Sequence, residues 1–426
     1  MPNQMRPGWY VGARVPVELV EGLVLRDIDA TQGLALADFG VTQDGLITAE
    51  RADGPVVDLD GRLVLPTFTD SHVHLDKAFI VRRTGLPQGG LLDAVRLSGA
   101  DAANWTEADL EMRMTRALER AFANGTAAMR THLDSPDMPC DSASWRTFDR
   151  IRARWARRVE LQAVALMALD RVEHAEFSER CRQIAGFRGI LGAFIVPGSA
   201  TPERLDALFG HAARAGLDVD FHVDETLDPA ANAIELICDS VLRTGFSGAV
   251  MAGHCCSLSS KADADRDRIV GKIAAAGVHI VSLPHSNLFL QDRSAGATPR
   301  RRGITQVREL RAAGAKVHFA SDNVQDPFYP YGDFDMVDVL RSAIRTAHLD
   351  VDLGAWATIQ LRDPALACGF ATSGRIEVAG PADLIIFDAR DWHELVSRPQ
   401  VDRIVLRGGA PLRATNGLHE LFGMED

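Results

Sequence analysis

Two histidines separated by one residue, His72-Val73-His74, stand inside Leu65-Pro66-Thr67-Phe68-Thr69-Asp70-Ser71-His72-Val73-His74-Leu75-Asp76-Lys77. On a strand, residues two apart point to the same side. Two imidazoles aimed one way at a strand end can grip one metal ion. Further donors follow at wide intervals: His132, His222, His254 and His285, then Asp322. Imidazoles plus one carboxylate suit zinc or iron. Taken singly, each histidine reads more readily as a hydrogen-bonded core residue than as a ligand. Their placement is what argues for chemistry, because the 426-residue chain holds only 13 histidines.

The elements that must position these residues can be read from the texture of the chain. Eight apolar runs end in polar or histidine-bearing tips: His72-Val73-His74, Thr131-His132-Leu133-Asp134, Met167-Ala168-Leu169-Asp170, Phe194-Ile195-Val196-Pro197, Phe221-His222-Val223-Asp224-Glu225, Ala252-Gly253-His254, Ser282-Leu283-Pro284-His285 and Phe319-Ala320-Ser321-Asp322. Helical stretches rich in Ala, Leu and Arg separate them. The spacing, roughly 35 residues, suits a strand plus a crossover helix. Eight such units predict an α/β chain with a (β/α)8 barrel, whose C-terminal strand ends carry the active site. An open α/β sheet is the alternative. The two chain ends read differently, as short strands punctuated by glycine. Val15–Val20, Leu23–Asp27 and Leu34–Phe39 lie at one end, and Ala382–Asp388 and Val401–Gly409 at the other. The reading divides the chain into a composite β-sandwich from 1–65 and 376–426 and a barrel from 66–375.

Composition bounds the class. Hydrophobic residues make up 46% and charged residues 24%, as in an ordinary globular protein. The net charge of −12, from 58 acidic and 46 basic residues, argues against nucleic acid as a partner. Six cysteines lack paired C-x-x-C spacing and read as reduced thiols of a cytoplasmic protein. No long apolar run occurs near Met1–Gly8, so neither a signal peptide nor a membrane span is expected.

The chain resembles the amidohydrolase superfamily, and within it the cytosine deaminase branch. That branch shows H-x-H after strand 1, a histidine after strand 5, another after strand 6 and an aspartate after strand 8. His72 and His74, His222, His254 and Asp322 stand in that order. The likeness extends to Arg301-Arg302-Gly303-Ile304-Thr305 and to Ser321-Asp322-Asn323-Val324-Gln325-Asp326-Pro327-Phe328-Tyr329-Pro330-Tyr331-Gly332. The resemblance implies His72, His74, His222 and Asp322 as ligands of one divalent metal, zinc or iron, which would activate a water. It implies His254 as the residue orienting that water. Two-metal relatives bridge their ions with a lysine after strand 4. The four lysines here are Lys77, Lys261, Lys272 and Lys316, none near Phe194–Pro197, which favours one metal.

Glu225, three residues after His222, matches an H-x-x-E pattern of that branch, which implies a proton shuttle. Its plainer reading is a surface carboxylate opening a helix. His132, Asp134 and Asp76 read as groups behind the ligands, where a carboxylate can fix an imidazole tautomer. The departures bear on substrate. Ala168 stands where cytosine deaminases place a glutamine that clamps the pyrimidine amide edge. Asn323 replaces a second aspartate, and can donate as well as accept. Lys77 and Ser321-Asp322-Asn323 resemble instead the N-isopropylammelide isopropylaminohydrolase branch. Lys77 reads either as an attractor of a carbonyl-rich ring or as the partner of a scaffold carboxylate. Phe328, Asn287, Gln291 and Arg293 complete the pocket candidates.

The expected function is metal-dependent deamination of an amino-substituted N-heterocycle, a cytosine-like pyrimidine or a triazine, with release of ammonia. The alternatives are hydrolysis of an N-alkylamino or cyclic amide bond, and a catalytically inactive scaffold. A small heterocyclic substrate is the expected partner, with homo-oligomers possible.

Overall fold

The computed structural model describes residues 7–370 and 373–412. Two compact units emerge: one draws on both chain ends, through Thr67 and from Thr372, with Ala123–Gly125, and the other comprises Phe68–Phe122 and Thr126–Ala371. The sequence reading set these divisions after Leu65 and after residue 375. Val64–Pro66 instead pairs antiparallel with Leu384–Ile386, which ties Pro66 to the terminal unit. Residues 413–426, assigned to that unit from the sequence, lie outside the described residues.

In the larger unit eight parallel strands run in chain order: β1 (Phe68–Val73), β2 (Thr126–Asp134), β3 (Glu160–Ala168), β4 (Ile190–Phe194), β5 (Val219–Val223), β6 (Val250–His254), β7 (His279–Ser282) and β8 (Val317–Phe319). Just beyond β8 the backbone returns to β1: Val73 bridges Asp322 in parallel, and Asp322 N–H donates to the His72 carbonyl at 2.9 Å. This all but closes the sheet into the expected barrel. Each predicted tip lies at or just past the C-terminal end of a strand.

Crossover helices form where the sequence supplies both caps and an apolar stripe. Pro202–Ala215 is an example. Thr201 accepts from Arg204 N–H, Pro202 sits at the helix start and Gly216 ends it in a left-handed conformation, φ +65°. Leu205, Leu208, Phe209 and Ala212 form its buried face, and Phe209 meets the outward-facing Phe221 of β5 at 6.0 Å between ring centroids.

Among the described residues, the terminal unit holds a five-stranded sheet, a four-stranded sheet and a two-stranded pair. Tyr10, Val15, Phe39, Val64, Leu384 and Leu406 share one core drawn from both chain ends. One expected strand is displaced. The run Val15–Val20 divides between the end of a strand at Gly8–Pro16 and a 3-10 turn at Val17–Leu19, with Val20–Glu21 paired to Ile376–Glu377. Gly12, at φ +70°, absorbs an irregularity between Tyr10 and Ala13, so it bends a strand rather than ending one. All six cysteines are unpaired. No helix among the described residues is long and apolar enough to cross a membrane.

Candidate active site

The ends of β1, β5 and β6, with the turn after β8, bring four donors together. His222 Nε2 lies 3.1 Å from His72 Nε2 and 3.1 Å from His74 Nε2. Asp322 Oδ1 lies 3.5 Å from His72 Nε2 and 3.3 Å from His74 Nε2. Metal–nitrogen bonds of 2.0–2.1 Å in a tetrahedron put donors roughly 3.3–3.4 Å apart, so these spacings fit a common ion. Asp322 Oδ1, the oxygen that faces the histidines, is buried without a hydrogen-bond partner, which leaves it for a cation. The second oxygen of Asp322 accepts from the Ser286 hydroxyl, which fixes the carboxylate plane.

Electrostatics holds these side chains ready to ligate. Burial, then the neighbouring imidazoles, keeps His72 and His222 well below the usual histidine range. Burial lowers His74 to about 4. Burial works against ionising Asp322, but the close approach of His74 and the His254 and His74 charges outweigh it and lower its pKa. Neutral imidazoles and an ionised carboxylate are the states a cation needs.

His254 and Asp322 both adopt left-handed backbone, φ +71° and +62°. Such conformations cost of order 1–3 kcal/mol each and persist when the surroundings fix them. The Thr305 hydroxyl donates to the His254 carbonyl at 2.6 Å. His72 holds Asp322 through the bond that closes the barrel. Gly253 is required beside His254, because a Cβ there would lie 2.9 Å from His72 Cε1.

Around the donors stands a second set of polar groups. His254 Nδ1 lies 3.0 Å from Asn287 Oδ1 and 3.6 Å from Glu225 Oε1, and its Nε2 is buried without a partner. Burial pushes the Glu225 carboxyl up to about 7. Gln291 Nε2 donates to the Glu225 carbonyl at 3.3 Å. His132 stacks against His72, ring centroids 3.9 Å apart, with its Nε2 3.3 Å from Asp220 Oδ1.

Lys77 turns to a carboxylate of the scaffold. Its Nζ donates to Asp134 Oδ1 at 2.7 Å and lies 5.4 Å from the Phe328 ring centroid. Asp134 N–H in turn donates to Asp76 Oδ2 at 2.7 Å. Asp134 and Asp76 therefore brace Lys77 and each other; the tautomer-fixing role expected of them is not the contact they make. Burial alone would lower the Lys77 pKa, yet Asp134 and Asp76 raise it above the usual lysine value.

Of the remaining candidates, Asn323 donates to Asp326 at 2.7 Å, and Ala168 ends β3. Arg293 donates to the Pro87 carbonyl. His285 hydrogen-bonds Ser342 and stacks on Tyr329, apart from the donor cluster. Two contributors went unread in the sequence. Ser286 lies one residue after His285, in a helix start that carries no periodic mark. Asp326 is buried and accepts from the Phe328 and Tyr329 N–H groups, shaping the loop that carries Phe328; its place before Pro327 is the available clue.

Comparisons with known proteins identify the family. The model of the amidohydrolase family matches residues 141–409. A pterin deaminase of Rhizobium rhizogenes is 44% identical over 395 residues, covering 91% of this chain and 88% of that protein. An N-isopropylammelide isopropyl amidohydrolase of Pseudomonas sp. is 23% identical, covering 86% and 91%. Among solved structures, 5-methylcytosine deaminase from Klebsiella pneumoniae liganded with 5-fluorocytosine superposes with a TM-score of 0.79 at 24% identity, covering 95% and 97%. With its fold, its donor cluster and a relative this similar over nearly its whole length, the chain belongs to the amidohydrolase family, as one of its deaminases.

Proposed function

We propose that this protein deaminates a pterin, a two-ring 2-amino-4-oxo heterocycle, by hydrolysis. Water adds to the ring carbon bearing the amino group, the carbon–nitrogen bond breaks, and ammonia leaves with a dioxo ring as the other product. No electrons are transferred. His72, His74, His222 and Asp322 would hold one divalent ion, zinc or iron. When bound, that ion supplies Lewis acidity that makes water a nucleophile near neutral pH.

The chain's own groups carry the protons. A carboxyl titrating at about 7 can take a proton and return it at neutral pH, and Glu225 is such a group. It accepts a proton from the attacking water and passes it to the ring nitrogen, then takes the second proton from the hydroxyl of the adduct as the ring carbonyl forms and delivers it to the departing amine, which leaves as ammonia. His254, held by Asn287, orients the attacking oxygen. Asn323 would meet the ring edge: its Nδ2 donates to Asp326, and its carbonyl oxygen is the atom that would accept from a ring N–H or amino group.

The observation that carries this reading is Glu225, protonable near neutrality and 3.6 Å from His254, next to the four-donor cluster. The pterin deaminase relative supports the two-ring substrate. The test is ammonia release by metal-loaded protein from pterin, 2-aminopyrimidines and aminotriazines. Ammonia from pterin at the highest kcat/KM is the expected result. An alkylamine or a new carboxylate without ammonia would favour the N-alkylamine or cyclic-amide alternative.

A further inference from the structure

Phe194, the last residue of β4, keeps 39% of its surface exposed while Ile190–Ala193 are buried. Among the described residues it is the large apolar side chain of the eight barrel strands that remains open to solvent.

Its direction follows from the register. Side chains alternate faces along a strand, and paired residues of parallel neighbours share a face. Phe194 pairs with His222 of β5 on one side and with Ala168 of β3 on the other. His222 points into the barrel, where it meets His72 and His74. Two glycines confirm the inward row. A Cβ on Gly253, the partner of His222, would strike His72. A Cβ on Gly192, two residues before Phe194, would lie 2.4 Å from Val164 Cγ1. Phe194 thus stands on the same inner face as a metal-ligand candidate, one strand away, about 4.8 Å along the sheet. On its far side Ala168 presents a single methyl group.

We infer that Phe194 and Ala168 set the ring-size preference of the site, Phe194 as a flat wall on which the second ring of a bicyclic substrate stacks and Ala168 as the gap that admits it. This rests on the proposed deamination for the identity of the reacting ring, and extends it to the part of the substrate that does not react. The physics is simple. An exposed phenyl ring gains on covering an aromatic face, and a long polar side chain at position 168 would fill the space the second ring needs. A single-ring substrate, held at the metal end by its amidine edge, gains nothing from either residue.

The test uses binding as well as turnover. The full-length, metal-loaded protein is titrated with 2,4-dioxopteridine, the two-ring product, and with uracil, its one-ring counterpart. KM and kcat are measured for pterin and for 2-amino-4-hydroxypyrimidine. Phe194→Leu is expected to weaken two-ring binding and raise the pterin KM roughly tenfold, the scale of one aromatic stacking contact, with one-ring constants within twofold and metal content unchanged. Phe194→Tyr should restore two-ring binding. Ala168→Gln should impair the two-ring ligands without weakening the one-ring pair, whose amide edge the new side chain can meet. Equal losses for both ring sizes, no loss in either variant, or wild-type protein that binds uracil better than 2,4-dioxopteridine would each overturn the inference. Failure of wild-type protein to release ammonia from pterin would instead refute the proposed reaction, and the binding comparison would still decide the role of Phe194.

Discussion

Glu225 Oε1 stands 3.6 Å from His254 Nδ1, at the mouth of the donor cluster, with only 13% of the Glu225 side chain exposed. The two residues come from adjacent strands. Asp224, between Val223 and Glu225, is left-handed and accepts from Ala233 N–H and Ile234 N–H, which turns the chain so that Glu225 faces the barrel axis. A proton carrier and an orienting imidazole are thereby set side by side.

Removing the carboxyl tests the carrier. Glu225→Gln preserves shape and hydrogen-bonding capacity but cannot exchange a proton. We expect kcat to fall by about 10²–10⁴, the usual contribution of a positioned acid–base group, with metal content by elemental analysis unchanged. A variant within threefold of wild type would remove Glu225 from the reaction.

The pH profile follows from the same group. Burial raises Glu225 to about 7, so it is protonated below that pH and unable to accept from water. The rate should therefore fall as pH drops through about 7, on a limb that Glu225→Gln lacks. A profile flat from pH 5.5 to 8.5 would contradict this. The sign for stability is opposite: a carboxyl raised above its unfolded value favours the folded state at low pH, and this contribution is lost as pH rises through 7.

His254→Asn tests orientation against ligation. Among the described residues, His254 lies with His72, His222 and Asp322 in one of two donor groups close enough to share an ion, the other being His72, His74 and His132. With His72, His74, His222 and Asp322 as the ligands, the variant should keep its metal while kcat falls at least tenfold. Loss of the metal on simple dialysis would make His254 a ligand.

Gly253→Ala probes the packing beneath the ligands. The added Cβ would lie 2.9 Å from His72 Cε1 and must push the ring aside. Displacing a ligand should weaken metal binding by 10- to 100-fold, about the effect of removing an outer-sphere support, while the melting curve of the metal-free protein moves little. Competition with a chelator measures it.

Lys77→Met tests the scaffold pair. The ammonium is buried against Asp134 and Asp76, and its loss strands two carboxylates. Breaking a fully buried pair costs about 3–5 kcal/mol. Asp134 keeps 38% of its side chain exposed, so water relieves part of that, and a loss of about 1–3 kcal/mol in urea unfolding is expected. An unchanged midpoint would mean Lys77 is held for the substrate instead.

The sequence by itself determined which residues could ligate and in what order they would arrive. The tips His72, His74, His222, His254 and Asp322 were legible because rare, chemically distinctive residues ended runs whose spacing implied strand and helix. Strand alternation is local, so a strand end can be read without its neighbours. The terminal strands were less legible: Val15–Val20 reads as one strand but divides between a strand end, a 3-10 turn and a separately paired segment, because only the partner strands decide where pairing stops. The direction of Lys77 was likewise open. A charged side chain goes to its best partner, and Asp134 is brought to it by a strand nearly 60 residues away. Ser286 and Asp326 left no mark, since a hydroxyl or carboxyl becomes functional only by what it touches. Phe194 was visible as a residue and invisible as a wall. Its position between His222 and Ala168 is a fact of sheet register, and register is set when the barrel closes.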